Sequence, residues 1–195
     1  MIIVTGSCRS GTSMMMQTLK LLGVEVAGEK FHPDFPVIEG NPKGYYDIPF
    51  EKVGQGLGEE YNGMAVKLLG EWLPLTNPVN ATHIIVCRRR DTQAQDRSTI
   101  KLLKLEEQTE SDSEIRKNLL EQCLSFLSPE EIRKRRWFNY KIIDEYVLGF
   151  TGYVKDVYFE DMYFQPTQTI QEIRDFLFLD SDTDIKKAVS NIGIE

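Results

Sequence analysis

The segment Gly6-Ser7-Cys8-Arg9-Ser10-Gly11-Thr12-Ser13 follows the apolar run Ile2-Ile3-Val4 and precedes Met14-Met15-Met16-Gln17-Thr18-Leu19. Its two glycines allow a tight turn between a strand and a helix, and the amides of residues 10 to 13 then face one spot at the positive end of that helix. The chemistry open to such a loop is the holding of an anion, a phosphate or a sulfate. Its one fixed cation is Arg9, whose planar fork binds either group bidentately. A loop that hydrolyses nucleoside triphosphates carries Lys after the second glycine and then Ser or Thr for Mg²⁺. Here Thr12 stands at the lysine position, which argues against ATP chemistry.

A second constellation lies in His83-Ile84-Ile85-Val86-Cys87, a buried-strand run that ends in Arg88-Arg89-Arg90-Asp91 and leads into a helix-forming stretch carrying Ser98. Arg90 at the strand's carboxyl end and Ser98 eight residues later return to nearly one face, so a guanidinium and a hydroxyl can converge on one phosphate. A third stretch, Val157-Tyr158-Phe159-Glu160-Asp161-Met162 with Gln165-Pro166, Thr169-Ile170, Ile173 and Asp175-Phe176-Leu177, places apolar residues at helical spacing and is expected to pack a helix on the sheet. Its rival reading is a strand ending in Mg²⁺-binding acids, which loses most of its support without the loop lysine.

Together these segments resemble the sulfotransferases that use 3′-phosphoadenosine-5′-phosphosulfate. Arg9-Ser10-Gly11-Thr12-Ser13 is similar to that family's 5′-phosphosulfate loop, Arg90 and Ser98 to its 3′-phosphate site, and residues 157–177 to its tyrosine-acid-acid, proline, helix, Phe-Leu ending. The resemblance implies a P-loop-type sulfotransferase fold and that cofactor, with adenosine 3′,5′-bisphosphate as product. Arg9, Ser10, Gly11, Thr12, Ser13, Arg90 and Ser98 would bind it. Sulfuryl transfer needs one base and two or more cations, and no metal. Lys67, in Met64-Ala65-Val66-Lys67-Leu68, resembles the strand-end lysine that faces the sulfuryl group in tyrosylprotein and related bacterial sulfotransferases. Three groups remain open as the base. Glu29 sits about as far from Arg9 as the glutamate of the tyrosylprotein enzymes; Asp47 closes Asn41-Pro42-Lys43-Gly44-Tyr45-Tyr46-Asp47, which resembles a stretch of bacterial members; His32 titrates in the range suited to general-base work. The acceptor is expected to be a small molecule, glycan or peptide with a hydroxyl or amine. A P-loop nucleotide or small-molecule kinase and a catalytically silent nucleotide-binding relative stay open as alternatives.

The elements that must position these groups form an α/β pattern. Buried strands are expected at about residues 2–5, 64–68, 83–88 and 154–159, giving one domain over residues 1–195 with a central parallel sheet flanked by helices. In such a sheet ligands gather at the carboxyl ends of the strands. Gly23 is expected to end the first helix, Ser128-Pro129-Glu130-Glu131 to start a long one, and residues 28 to 47 to form a long ordered loop. A chain of 195 residues, 41% hydrophobic, is long enough for one good core. A net charge of -7 and a pI near 5.0 disfavour general nucleic-acid binding. Of the two basic runs, Arg88 to Arg90 is assigned to cofactor phosphate and Arg133 to Arg136 to a solvated helix face. Cys8, Cys87 and Cys123 lack metal-ligand spacing and suggest no disulfide framework. No secretory leader or membrane span is expected, so a cytoplasmic location is; the oligomeric state is not legible.

Overall fold

The computed structural model describes residues 1–31, 40–76, 80–108, 128–180 and 184–192. His32, one of the three base candidates, and Cys123 lie outside them, as do parts of the loop at 28 to 47 and of the helical stretch after residue 100. Four strands, β1 (Ile2–Gly6), β2 (Ala65–Leu69), β3 (His83–Arg88) and β4 (Tyr153–Tyr158), form one parallel sheet in the order β2-β1-β3-β4. In chain order they alternate with helices α1 (Thr12–Leu21), α2 (Phe50–Gln55), α3 (Leu73–Thr76), α4 (Thr92–Gln108), α5 (Pro129–Leu148), α6 (Phe159–Phe164), α7 (Pro166–Phe176) and α8 (Ile185–Ile192). The fold is a single α/β domain. A parallel bridge from Val26 to Ala65, with Ala27 donating to the Ala65 carbonyl at 2.8 Å, adds the segment after α1 to the outer edge of β2.

Strand alternation divides the interior into two cores. Val4, Ala65, Ile85, Cys87 and Val157 point to one face and pack with Met15, Met16 and Leu19 of α1, Ile170 and Ile173 of α7 and Ala188 of α8. Ile3, Val66, Leu68, Ile84 and Val86 point to the other and pack with Leu73 of α3 and Ile143 of α5. Both sheet faces are therefore covered, which is why the strands read as nearly continuous apolar runs. The α7 packing expected from Ile170 and Ile173 is what the structure has, with both side chains buried.

The helix ends follow local chemistry. α1 closes in a Schellman pattern, with Gly23 N–H donating to Lys20 O at 3.2 Å and Val24 N–H to Leu19 O at 3.0 Å. α5 begins with Ser128 accepting from the Glu131 N–H at 3.2 Å and with Pro129 in the first turn, as its sequence suggests. Among the described residues no helix is long and apolar enough to cross a membrane.

Because β1 is flanked by β2 on one side and β3 on the other, the chain reverses its winding direction between β1 and β3. The carboxyl ends of those two strands open a crevice at that switch point, where the loop after Gly6 and the run Arg88-Arg89-Arg90 emerge.

Ile143 is fully buried and lies against the backbone of Gly70, where an added Cβ would meet it at 2.9 Å. Ile143→Ala is expected to lower unfolding free energy by about 2–5 kcal/mol. Trp137→Ala on the same helix, 63% exposed, should stay within about 0.5 kcal/mol. Urea denaturation of both variants checks this; equal losses would mean that α5 is not anchored through Ile143.

Candidate functional site

The loop after β1 turns through two left-handed residues, Arg9 at φ 61° and Gly11 at φ 103°. Gly6 is closely covered. A Cβ there would stand 2.2 Å from Ser10 Oγ and 2.7 Å from the Cys87 carbonyl, so only glycine lets the loop fold back over β1 and β3. The Ser10 amide is spent inside the loop, donating to Ser7 O at 3.1 Å. The expectation that the amide of residue 10 joins the anion site is thus corrected. The first helical bond runs from Met15 N–H to Gly11 O at 3.0 Å, which leaves the amides of Thr12, Ser13 and Met14 ahead of the ladder at a helix start without a side-chain cap. Those amides and the helix dipole favour an anion.

Lys67 is 3% exposed and Asp47 7% exposed, the only buried charged residues among those described. Alternation along β2 sends Lys67 to the same face as Ala65, toward α1. Its Nζ lies 2.6 Å from Asp47 Oδ1 and donates to Tyr45 O at 2.7 Å and Ser13 Oγ at 3.2 Å. All three ammonium protons therefore have acceptors. A strand-end lysine, a loop carboxylate and a serine at the start of α1, separate in the sequence, meet at one point. Asp47 reaches it through backbone bridges to Glu29 and Lys67. The segment from Asn41 is held to α1 by Gln17, whose Nε2 donates to Gly44 O at 2.9 Å. Glu29 itself is exposed.

Arg9 does not point alone into solvent. Its Nε donates to Ser98 Oγ at 2.9 Å and its Nη1 to Gly40 O at 3.2 Å, while Gln95 Nε2 of α4 donates to Cys8 O at 2.8 Å. The structure thus brings Ser98 to the arginine of the loop after β1. Arg90, the expected partner of Ser98, is turned the other way. Both of its Nη atoms bond Asp161, at 2.6 and 2.8 Å, and its guanidinium stacks on Tyr158. The convergence of Arg90 and Ser98 on one phosphate is therefore corrected for this structure: long-range carboxylates capture Arg90.

The middle arginine of the run is the one sequence reasoning missed. Arg88 is clamped by Asp144 and Asp156 at 2.6 and 2.8 Å, where these two carboxylates raise its pKa against the effect of burial. Arg89 instead stacks on Phe159 at 4.3 Å, a ring that itself lies against Gly11. Burial foremost lowers its pKa; Glu160 and Asp91 oppose this, and the positive charges of Arg9 and Arg97 add to the lowering. Its Nε is buried without a hydrogen-bond partner, the nearest carboxylate oxygen being that of Glu160 at 3.9 Å. Three guanidiniums thus crowd the crevice, one with an unused donor. Glu160 spends its oxygens on the Arg90 and Asp91 amides, at 3.0 and 3.1 Å. Burial would raise that carboxyl, but these amides and Arg89 hold it below the usual range. Neither acid at the end of β4 is left to bind a metal, and among the described residues no cluster suited to a metal ion occurs. Cys87, buried beneath the loop, has its thiol pushed up to about 12 by burial.

Compared with known proteins, the chain matches no family model and no curated protein.

Removing one partner of a buried ion pair strands the other, so Asp47→Leu and Lys67→Met should each destabilise by about 3–5 kcal/mol. The double variant Lys67→Met with Asp47→Leu should recover most of that loss. Additive single losses in a urea-denaturation double-mutant cycle would contradict the pairing.

Proposed function

We propose that this chain is a sulfotransferase, moving a sulfuryl group from 3′-phosphoadenosine-5′-phosphosulfate to a hydroxyl or amine of a small molecule, glycan or peptide. The observation that carries the reading is the kind of charge around the start of α1. Where a nucleoside-triphosphate kinase holds Mg²⁺ on the loop hydroxyl, Ser13 Oγ here accepts from the Lys67 ammonium. A fixed protein cation beside that hydroxyl opposes a divalent ion by repulsion and supplies the neutralisation the ion would give. Arg9 and Arg89 add further positive charge, and the acids that would hold a metal are consumed by backbone amides and by Arg90. Strand order, with the phosphate loop on a central parallel strand, also supports this class of fold.

In the proposed reaction the acceptor oxygen or nitrogen attacks sulfur in line with the bridging oxygen to the 5′-phosphate. The new bond to sulfur forms as the old S–O bond breaks, and its electron pair leaves on adenosine 3′,5′-bisphosphate. Arg9 and the amides of Thr12 and Ser13 face the charge that develops on the sulfuryl and leaving oxygens, while Lys67, its protons spent on Asp47, Tyr45 and Ser13, holds the Ser13 hydroxyl in place. The acceptor's proton passes to a carboxylate. Asp47 is already bound to Lys67 and fixes its position; Glu29, exposed and joined to Asp47 by a backbone bridge, has no ion-pair partner among the described residues and is the better-placed base. Arg89 takes over the 3′-phosphate-binding role expected of Arg90, beside Ser98, which Arg9 holds through its Nε.

Thermal-shift titration with adenosine 3′,5′-bisphosphate, against ATP with Mg²⁺, tests this. The bisphosphate is expected to raise the melting temperature, because it binds only the folded state. Loss of a charged hydrogen bond in Arg89→Ala should weaken it by about ten- to a hundredfold. Arg90→Ala should weaken it less. Stabilisation by ATP with Mg²⁺ alone would overturn the reading in favour of a kinase, and bisphosphate binding with no transfer to any acceptor would indicate a silent relative.

A further inference from the structure

α4 leaves the arginine cluster with a row of cations on its outer face. Arg97, Lys101 and Lys104 stand at i, i+4 and i+7, one stripe of a helix, with steps of about 6 and about 4.5 Å along the axis. All three are exposed, and among the described residues none has a carboxylate partner. On the neighbouring helix α5, Lys134 pairs with Glu130 and Glu131, Arg136 with Asp96, and Lys141 with Glu145. Asp96 is the residue next to Arg97, yet it turns to Arg136 at 2.7 Å. In a chain of net charge -7, three exposed cations on one helical stripe, with no carboxylate partner among the described residues, make a local positive field.

The stripe borders a cavity of about 280 Å³, open to solvent and lined, among the described residues, by Arg97, Ile100, Lys101, Lys104 and Leu105 of α4. Its size lies near the lower end of small-molecule sites, roughly 300–1,000 Å³, and suits a compact ligand. Three cations surround two half-buried aliphatic side chains, Ile100 and Leu105, so the complementary ligand has an apolar body and an anionic group. Arg97 belongs both to this cavity and to the cluster around Arg89, which joins the cavity to the crevice where the anion of the phosphate loop would sit.

We propose that this cavity binds a small organic anion, a carboxylate or an ester of sulfate or phosphate on an apolar body, and that this anion is the acceptor. The second half rests on the sulfuryl-transfer reading; the first does not. The cations neutralise the acceptor's own charge, which would otherwise repel the incoming sulfuryl group, and they draw the acceptor to the mouth of the crevice.

Equilibrium dialysis of naphthalene-2-carboxylate and of neutral naphthalene-2-methanol tests the proposal on the full chain, with and without adenosine 3′,5′-bisphosphate. Wild type should prefer the carboxylate by about tenfold. The preference should vanish in Lys101→Gln/Lys104→Gln and reverse in Lys101→Glu/Lys104→Glu, while the bisphosphate midpoint stays unchanged in both. Both lysines are exposed, so the variants keep the fold, which circular dichroism verifies. Equal binding of the two probes to wild type, or a preference that survives in the glutamine variant, would overturn the anion site. Expulsion of the carboxylate by the bisphosphate would assign the cavity to the nucleotide and overturn the acceptor role. A lysine-dependent preference in a protein that fails to bind the bisphosphate would uphold the anion site and sink the transfer reading instead.

Discussion

A buried ammonium is tolerated only if every proton it carries finds an acceptor, and Lys67 is such a group. Its acceptors come from three parts of the chain: the Asp47 carboxylate, the Tyr45 carbonyl and the Ser13 hydroxyl. That requirement ties β2, the segment from Asn41 to Asp47 and the first turn of α1 into one unit. Gln17 reinforces it from α1, and Lys43 reaches the Asn191 carbonyl on α8. The loop after β1 is therefore braced from its β2 side by a charge pair and from its β3 side by the close packing of Gly6 against Cys87. A loop held on both sides can present its amides and arginine without reorganising when an anion arrives, which is the condition for electrostatic preorganisation.

The three consecutive arginines at the end of β3 show how neighbouring identical residues acquire different duties. Arg88 staples α5 to β4 through Asp144 and Asp156, and Arg90 staples the β3 end to α6 through Asp161. Between them Arg89 is denied a close carboxylate and lies on the Phe159 ring, beside Gly11. Each staple also fixes the strand end from which Arg89 projects. The outer two arginines thus position the middle one, and a run that reads as a single basic patch resolves into two structural clamps and one guanidinium with an unpartnered Nε.

Local signals were legible in the sequence. The apolar run, glycine loop and helix of residues 2 to 21, the four strand positions and the Ser128 cap all rest on neighbours a few residues apart, and the structure has them within a residue or so. The meeting of Lys67 with Asp47 and Ser13 joined residues already singled out, yet their contact depends on a parallel bridge at the edge of β2 that no local pattern encodes. The choice among Arg88, Arg89 and Arg90 was illegible for a related reason. It depends on Asp144, Asp156, Glu160 and Asp161, which are brought to the strand end only by the packing of α5 and by β4 pairing with β3. Helical spacing from Arg90 to Ser98 was a sound inference about the backbone, but it could not foresee that Asp161 would outcompete an absent phosphate.

The crowding of Arg9, Arg89 and Arg97 is unfavourable in the free protein. Like charges at the mouth of a partly desolvated crevice repel, and the lowered pKa of Arg89 registers burial together with that repulsion. Folding nevertheless holds them there, because the carboxylates that would relieve them are engaged elsewhere: Asp96 with Arg136, Asp161 with Arg90, and Glu160 with two backbone amides. An anion entering the crevice gains attraction to each guanidinium and also removes their mutual repulsion, so its binding is coupled to the stability of the whole strand-end assembly. Neutral ligands gain neither term. The positive charge of the crevice is therefore set by how the acidic residues are spent, more than by the number of basic ones.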